Sequence, residues 1–115
     1  MHELSIALSI VEMATEESDK RNGATVDAVH LKLGRLSGVV KDALLFSWKI
    51  ACQGTTLENS RLEITEIPVR VHCENCKTDQ TLAEINNFSC PVCNTPTPEV
   101  LQGRELEVTA LEIIE

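Results

Sequence analysis

The sequence has no tyrosine and only three aromatic residues, Phe46, Trp48 and Phe88. Its core must therefore be built from Leu, Ile, Val and Ala, with little of the area that large rings bury. Basic residues are also short: 10 Lys and Arg face 18 Asp and Glu, a formal charge of -8. Nucleic-acid binding needs a cationic surplus to neutralise phosphate, so this deficit argues against such a partner. No apolar run approaches the roughly 18 residues of a membrane span. Residues 1–15 lack the basic start of an export signal, and Glu3 and Glu12 bracket their apolar residues, so the expectation is a soluble, cytoplasmic chain. A length of 115 residues allows one domain, or one domain with a small appendage. At 43% hydrophobic and 24% charged, the composition is that of a folded globular chain.

What is present divides into three stretches. Residues 3–19 repeat apolar side chains at Leu4, Ala7, Leu8, Val11 and Ala14, with Ile6, Ile10 and Met13 widening the stripe, as in an amphipathic helix. Asn22-Gly23 stops it. Thr25 to Leu33 alternates, with Val29, Leu31 and Leu33 on one face and Ala28, His30 and Lys32 on the other: a strand. A second helix fits 39–52, with Val40, Ala43, Leu44 and Ala51 along one side and Phe46, Trp48 and Ile50 broadening it. Leu62 to Val71 is rich in β-formers, but its apolar phase slips between Ile64 and Ile67, beside Pro68. A one-residue slip flips the buried face, so a bulge or an exit from the sheet is expected there. Near the end, Leu106, Val108 and Ala110 alternate with Glu105, Glu107 and Thr109, and the resulting strand is expected to pair with the earlier ones. The expected fold is α+β: an α/β-like domain with two helices on a small sheet, formed by residues 1–68 and 100–115, interrupted by a zinc-ribbon-like module at 69–99.

That insert holds four of the five cysteines and three of the four prolines, with few large apolar residues. Such a segment needs a staple to fold. Cys73-Glu-Asn-Cys76 and Cys90-Pro-Val-Cys93 form two C-x2-C pairs separated by 13 residues. Two intervening residues let one tight turn place both sulfurs on one ion, and two such turns complete a tetrahedron, so Cys73, Cys76, Cys90 and Cys93 read as Zn(II) ligands. Four thiolates leave no position for water, which makes the zinc structural. The rival reading is thiol–disulfide exchange, but redox CxxC motifs usually sit singly at a helix start. Cys52, on the second helix, reads as a small core residue. His30 reads as a solvated strand residue. His72 abuts Cys73 and is either a surface group or a supporting group behind the zinc ligands.

The N-terminus offers a second metal reading. His2 is a bulky second residue, so Met1 should be retained with a free amine. The Met1 amine, the His2 backbone nitrogen and the His2 imidazole can close adjacent chelate rings on one ion. Such a nitrogen-rich planar set suits Ni(II) or Cu(II). Glu3 would add its backbone nitrogen or its carboxylate. The plainer alternative is that His2 and Glu3 merely begin a helix, with Glu3 favoured by the positive helix end.

Taken together, Met-His-Glu-Leu-Ser at the start, Leu33-Gly34-Arg35-Leu36-Ser37-Gly38-Val39, the two CxxC pairs and Gly103-Arg104-Glu105-Leu106-Glu107-Val108 resemble the HypA/HybF hydrogenase maturation proteins, in order and across essentially the whole chain. The resemblance implies a nickel metallochaperone. It implies labile Ni(II) at Met1, His2 and Glu3, structural Zn(II) at the four cysteines, and delivery to the [NiFe]-hydrogenase large subunit together with the GTPase HypB. The first helix and the acidic surface beside the nickel site are expected to contact HypB. Some relatives carry histidines next to the CxxC pairs; here Lys77 and Asn94 follow them and only His72 is adjacent, which puts any histidine-linked coupling of the zinc site in question. Two other functions stay open at this point: a zinc-ribbon adaptor whose terminus binds no metal, and a small thiol oxidoreductase. No nucleophile–base pair, phosphate loop or carboxylate dyad stands out, so no catalytic activity is expected. The chain is expected to be a monomer or homodimer.

Overall fold

The computed structural model describes residues 2–97 and 99–115. Their order is α1 (Glu3–Asp19), β1 (Thr25–Gly34), α2 (Lys41–Cys52), β2 (Arg61–Ile67), β3 (Val69–Cys73), β4 (Thr78–Leu82), β5 (Val100–Gln102) and β6 (Leu106–Ile114). Among the described residues the strands form two sheets of three, ordered β2-β1-β6 and β4-β3-β5. The architecture is α+β, and the molecule measures 55 × 25 × 15 Å.

β1 is the centre of the first sheet. It runs parallel to β2 and antiparallel to β6. Parallel neighbours require a crossover, and α2 supplies it. The final strand thus returns to the first, as its alternation suggested. β1 carries a register shift between Val26 and Ala28, where Asp27 is the extra residue. Val26 is buried in one cluster with Val29 and Leu31, although simple alternation sets it with the outward His30 and Lys32. A bulge changes the phase of a strand, and alternation alone cannot foresee it.

Both helices lie where the periodicity put them, but each is rotated from its expected face. α1 buries Ala7, Ile10, Val11 and Ala14, together with Glu3 and Ser18. Leu4 and Leu8 remain 42% and 49% exposed. The reason is closeness: Ala7 and Ala14 have no exposed surface, and small side chains let α1 approach its neighbours. α2 buries Leu44, Ser47, Trp48, Ala51 and Cys52, whereas Val40, Phe46 and Ile50 face outward. The Trp48 Nε1–H donates to Ser60 Oγ at 3.1 Å, so the one large buried ring has its polar atom satisfied. These helix faces, Val26, Val29 and Leu31 of β1, Leu57 and Leu62 form one apolar cluster. Cys52 lies inside it, and burial pushes its thiol up.

The chain leaves the first sheet at Pro68 and enters the second at Val69, so the slip in apolar phase marks an exit. Val69, Val71 and Leu82 make a separate small cluster, covered by Leu36 and Val100. Residues 100–102, assigned on sequence to the larger unit, pair here with β3 as β5. The two sheets are joined through the loop after β1. Gly34 N–H donates to Glu105 O at 2.7 Å, Arg35 N–H to Ile67 O at 3.1 Å, and Leu36 N–H to Gly103 O at 2.6 Å. Arg35 also reaches Ala83 O with its guanidinium at 2.9 Å. A Cβ at Gly34 would collide with the Gly103 carbonyl and lie 2.6 Å from Glu105 N, so only glycine fits. No helix among the described residues is long and apolar enough to cross a membrane.

Candidate metal centres

The second sheet presents the cysteines. β3 ends at Cys73 and β4 begins at Thr78, so the first CxxC pair forms the tip of an antiparallel hairpin. The second pair follows a short irregular stretch and lies in a turn closed by a bridge between Ser89 and Pro96. The two turns share a backbone rule that the sequence did not advertise. Lys77 and Asn94, each directly after a second cysteine, have positive φ of 54° and 63°. Asn tolerates this conformation well; Lys does not, and Lys77 gave no hint of it. The Cys76 N–H lies 3.4 Å from Cys73 Sγ, and the Val92 N–H lies 3.4 Å from Cys90 Sγ, so each turn aims a backbone donor at its first sulfur.

The four sulfurs lie within 4.8 Å of one another. The pairs Cys73–Cys93 and Cys76–Cys90, each joining the two turns, are 3.5 and 4.0 Å apart. A tetrahedral ion with metal–sulfur bonds of about 2.3 Å has sulfur–sulfur edges of about 3.8 Å. The cluster therefore has the size and composition of a four-thiolate zinc centre. Its electrostatics point the same way. The Cys93 thiol is held down to about 5, chiefly by the Thr95 hydroxyl and then by the Asn75 side chain. Cys76 is pushed the other way by sharing a hydrogen bond with Cys93 and by burial. One thiolate forms readily here and the next resists, because Cys76 keeps its proton for the hydrogen bond to Cys93 and is shielded from water. A dication removes that obstacle. Thr95, whose Oγ1 lies 3.2 Å from Cys93 Sγ, was not singled out from the sequence; its place two residues after the last cysteine was the available signal.

His72, adjacent to the cluster, is engaged with carboxylates. Its Nδ1 lies 2.9 Å from Asp79 Oδ1 and its Nε2 lies 3.6 Å from Glu74. The Asp79 hydrogen bond holds its imidazole pKa above the ordinary value. His30 sits on the outer face of β1, with Nε2 2.6 Å from Glu112 Oε2.

At the other candidate centre, Met1 lies outside the described residues. His2 stands immediately before α1, with φ of 54°, exposed, and with no side-chain hydrogen bond to the helix. Its carbonyl accepts the first helical hydrogen bond, from the Ile6 N–H at 3.0 Å. Glu3 is different: it is only 6% exposed, and its Oε2 accepts from the Val40 N–H at 3.0 Å. Val40 precedes α2, so one carboxylate serves the starts of both helices, where anions are favoured. The positive amino terminus and, after it, the Val40 N–H hold the Glu3 carboxyl down to about 2. The helix-start reading of Glu3 is thus realised, and more extensively than one helix required.

A family model described as hydrogenase/urease nickel incorporation, metallochaperone, HypA, matches residues 1–113. The chain belongs to the HypA family. A hydrogenase maturation factor HypA from Roseiflexus sp. is 51% identical over 112 residues, covering 97% of this chain and 91% of the relative. Another, from Chloroflexus aggregans, is 47% identical and covers 97% and 98%. In structure the chain is similar to a Ni metallochaperone HypA from Helicobacter pylori, with a TM-score of 0.63 at 22% identity, covering 99% of this chain and 98% of that one. A second solution structure, of a HypA protein, gives a TM-score of 0.70 at 20% identity, covering 99% and 97%. Both structural likenesses establish the shared fold.

Proposed function

We propose that this chain carries Ni(II) at Met1, His2 and Glu3 and hands it to the large subunit of [NiFe]-hydrogenase, with a HypB-type GTPase as partner. His2 supplies its imidazole and backbone nitrogen, and Met1 its amine. Glu3 supplies its backbone nitrogen, since its carboxylate serves Val40. The observation that carries this reading is the placement of His2: an exposed imidazole at the outer end of α1, in a chain whose family is described by nickel incorporation. A cargo site should be reachable, so that an acceptor can replace its ligands one at a time. Ligation requires proton loss from the nitrogens, so affinity rises with pH.

Cys73, Cys76, Cys90 and Cys93 hold Zn(II), whose charge lets four thiolates coexist and whose bonds tie the two turns of the 69–99 module together. This closed site takes no part in transfer, and the reading assigns the chain no catalysis of its own. It works in the cytoplasm, where the thiols stay reduced. The division into a nickel-binding unit (1–68 with the chain after β5) and a zinc module is supported by the two separate apolar clusters, β5 pairing within the second sheet. The test is a Ni(II) titration of the protein against His2→Ala. Nickel bound markedly tighter by the parent supports the reading; equal affinity removes it.

A further inference from the structure

The nickel reading uses the tip of α1 and leaves its flank unexplained. Between α1 and the first sheet runs an open groove of about 310 Å³. Ile6 and Ile10 of α1, Leu31 of β1, and Leu106 and Val108 of β6 form its apolar floor, and Ser5 and Ser9 its wall. α2 packs against α1 and β2, so the groove lies on the β6 side. There β6 is bonded to β1 alone, and its outer edge is open among the described residues. An extended chain added to such an edge points alternate side chains to one face of the sheet, here into the groove. β2 has an open edge too among the described residues, but the groove of about 310 Å³ lies beside β6.

Charge selects the occupant. Ser5, Ser9, Glu12 and Glu16 recur at i, i+4, i+7 and i+11 and form one row along the groove side of α1. α1 contains no Lys or Arg. On the opposite face of β6, where the basic side chains of an added alternating strand would lie, stand Glu105 and Glu107, the latter 4.0 Å from Lys32. A second copy pairing through β6 would set these carboxylates against their own counterparts, which disfavours it. An extra residue in β6, Thr109, breaks the register with β1 and sets Leu106–Val108, beside the groove, apart from the rest of the strand.

The geometry points to a docking site for an extended protein segment that alternates aliphatic and basic residues, adding as a strand to Leu106–Val108 and seating an aliphatic side chain between α1 and the sheet. This site is independent of nickel: it rests on the groove, the open edge, and the carboxylates of α1 and of the outer face of β6.

The test uses the full chain as purified and a capped heptapeptide, acetyl-Lys-Val-Lys-Val-Lys-Val-Thr-amide, followed by backbone amide NMR shifts. Saturable binding is expected, with shifts concentrated at Ser5–Ile10 and Leu106–Thr109 and weakened by added salt. The same peptide with Glu for Lys should bind at least about tenfold more weakly. Ser9→Trp, which fills the groove from an exposed wall position, and Leu106→Lys, which charges its floor, should each cost a similar factor, while Gln53→Trp should not. The proposal is overturned by absent saturation, by equal binding of both peptides, by shifts confined to β2, or by self-association of the chain through β6.

Discussion

Glu3 joins two tasks at one residue. It begins α1, and its buried carboxylate accepts a hydrogen bond from the residue before α2, so the start of α1 is held to the body of the fold by an ionised group. Its pKa in the fold, about 2, lies below the ordinary 4.5. A carboxylate depressed in this way adds stability that is present above about 4.5 and lost as pH falls towards 2. In metal-free protein, Glu3→Gln should therefore lower the melting temperature at neutral pH, and the gap should close as the pH is lowered through that window. A constant gap at every pH would remove the ionised contact from the account. A second residue-level expectation concerns the core: Leu44 is fully buried, so Leu44→Ala should cost about 2–5 kcal/mol in urea unfolding.

At the scale of elements, much could be read beforehand. The two helices, the alternating β1, the returning β6 and the break beside Pro68 follow from periodicity and from proline. The spacing of the paired cysteines anticipated that their four sulfurs come together. The rotational phase of the helices could not be read, because Leu4, Leu8, Phe46 and Ile50 make α1 and α2 apolar on more than one side. The choice between faces was made by contact: Ala7 and Ala14 permit a close approach that leucines would prevent. The bulge at Asp27, the left-handed Lys77 and the burial of Glu3 depend on partners distant in sequence, which local pattern does not contain. The junction loop belongs to the same class. Gly34 and Gly38 read as turn residues, but Gly34 has a steric role as well, where β1 meets the Gly103 backbone. Gly34→Ala should therefore destabilise by about 1–3 kcal/mol, measured by thermal or urea unfolding. A substitution without effect there would mean that the two sheets are not clamped as described.

For the whole molecule, two apolar clusters of unequal size imply unequal dependence on metal. Among the described residues the cluster beneath α1 and α2 contains thirteen buried residues, against three in the second. The larger can hold its elements together unaided, whereas the smaller needs its four sulfurs tied. Cys73→Ser should abolish zinc binding and disorder the second sheet while leaving helical circular dichroism near the parent value. Global loss of helix would show that the two parts fold as one. The central claim, that the chain end is the cargo site, is tested most directly by metal analysis and Ni(II) titration of untagged protein beside the same protein with one extra N-terminal residue. The account predicts that the extension abolishes specific nickel binding while zinc stays at one per chain. Equal nickel binding by the two proteins, or none by either, would contradict it.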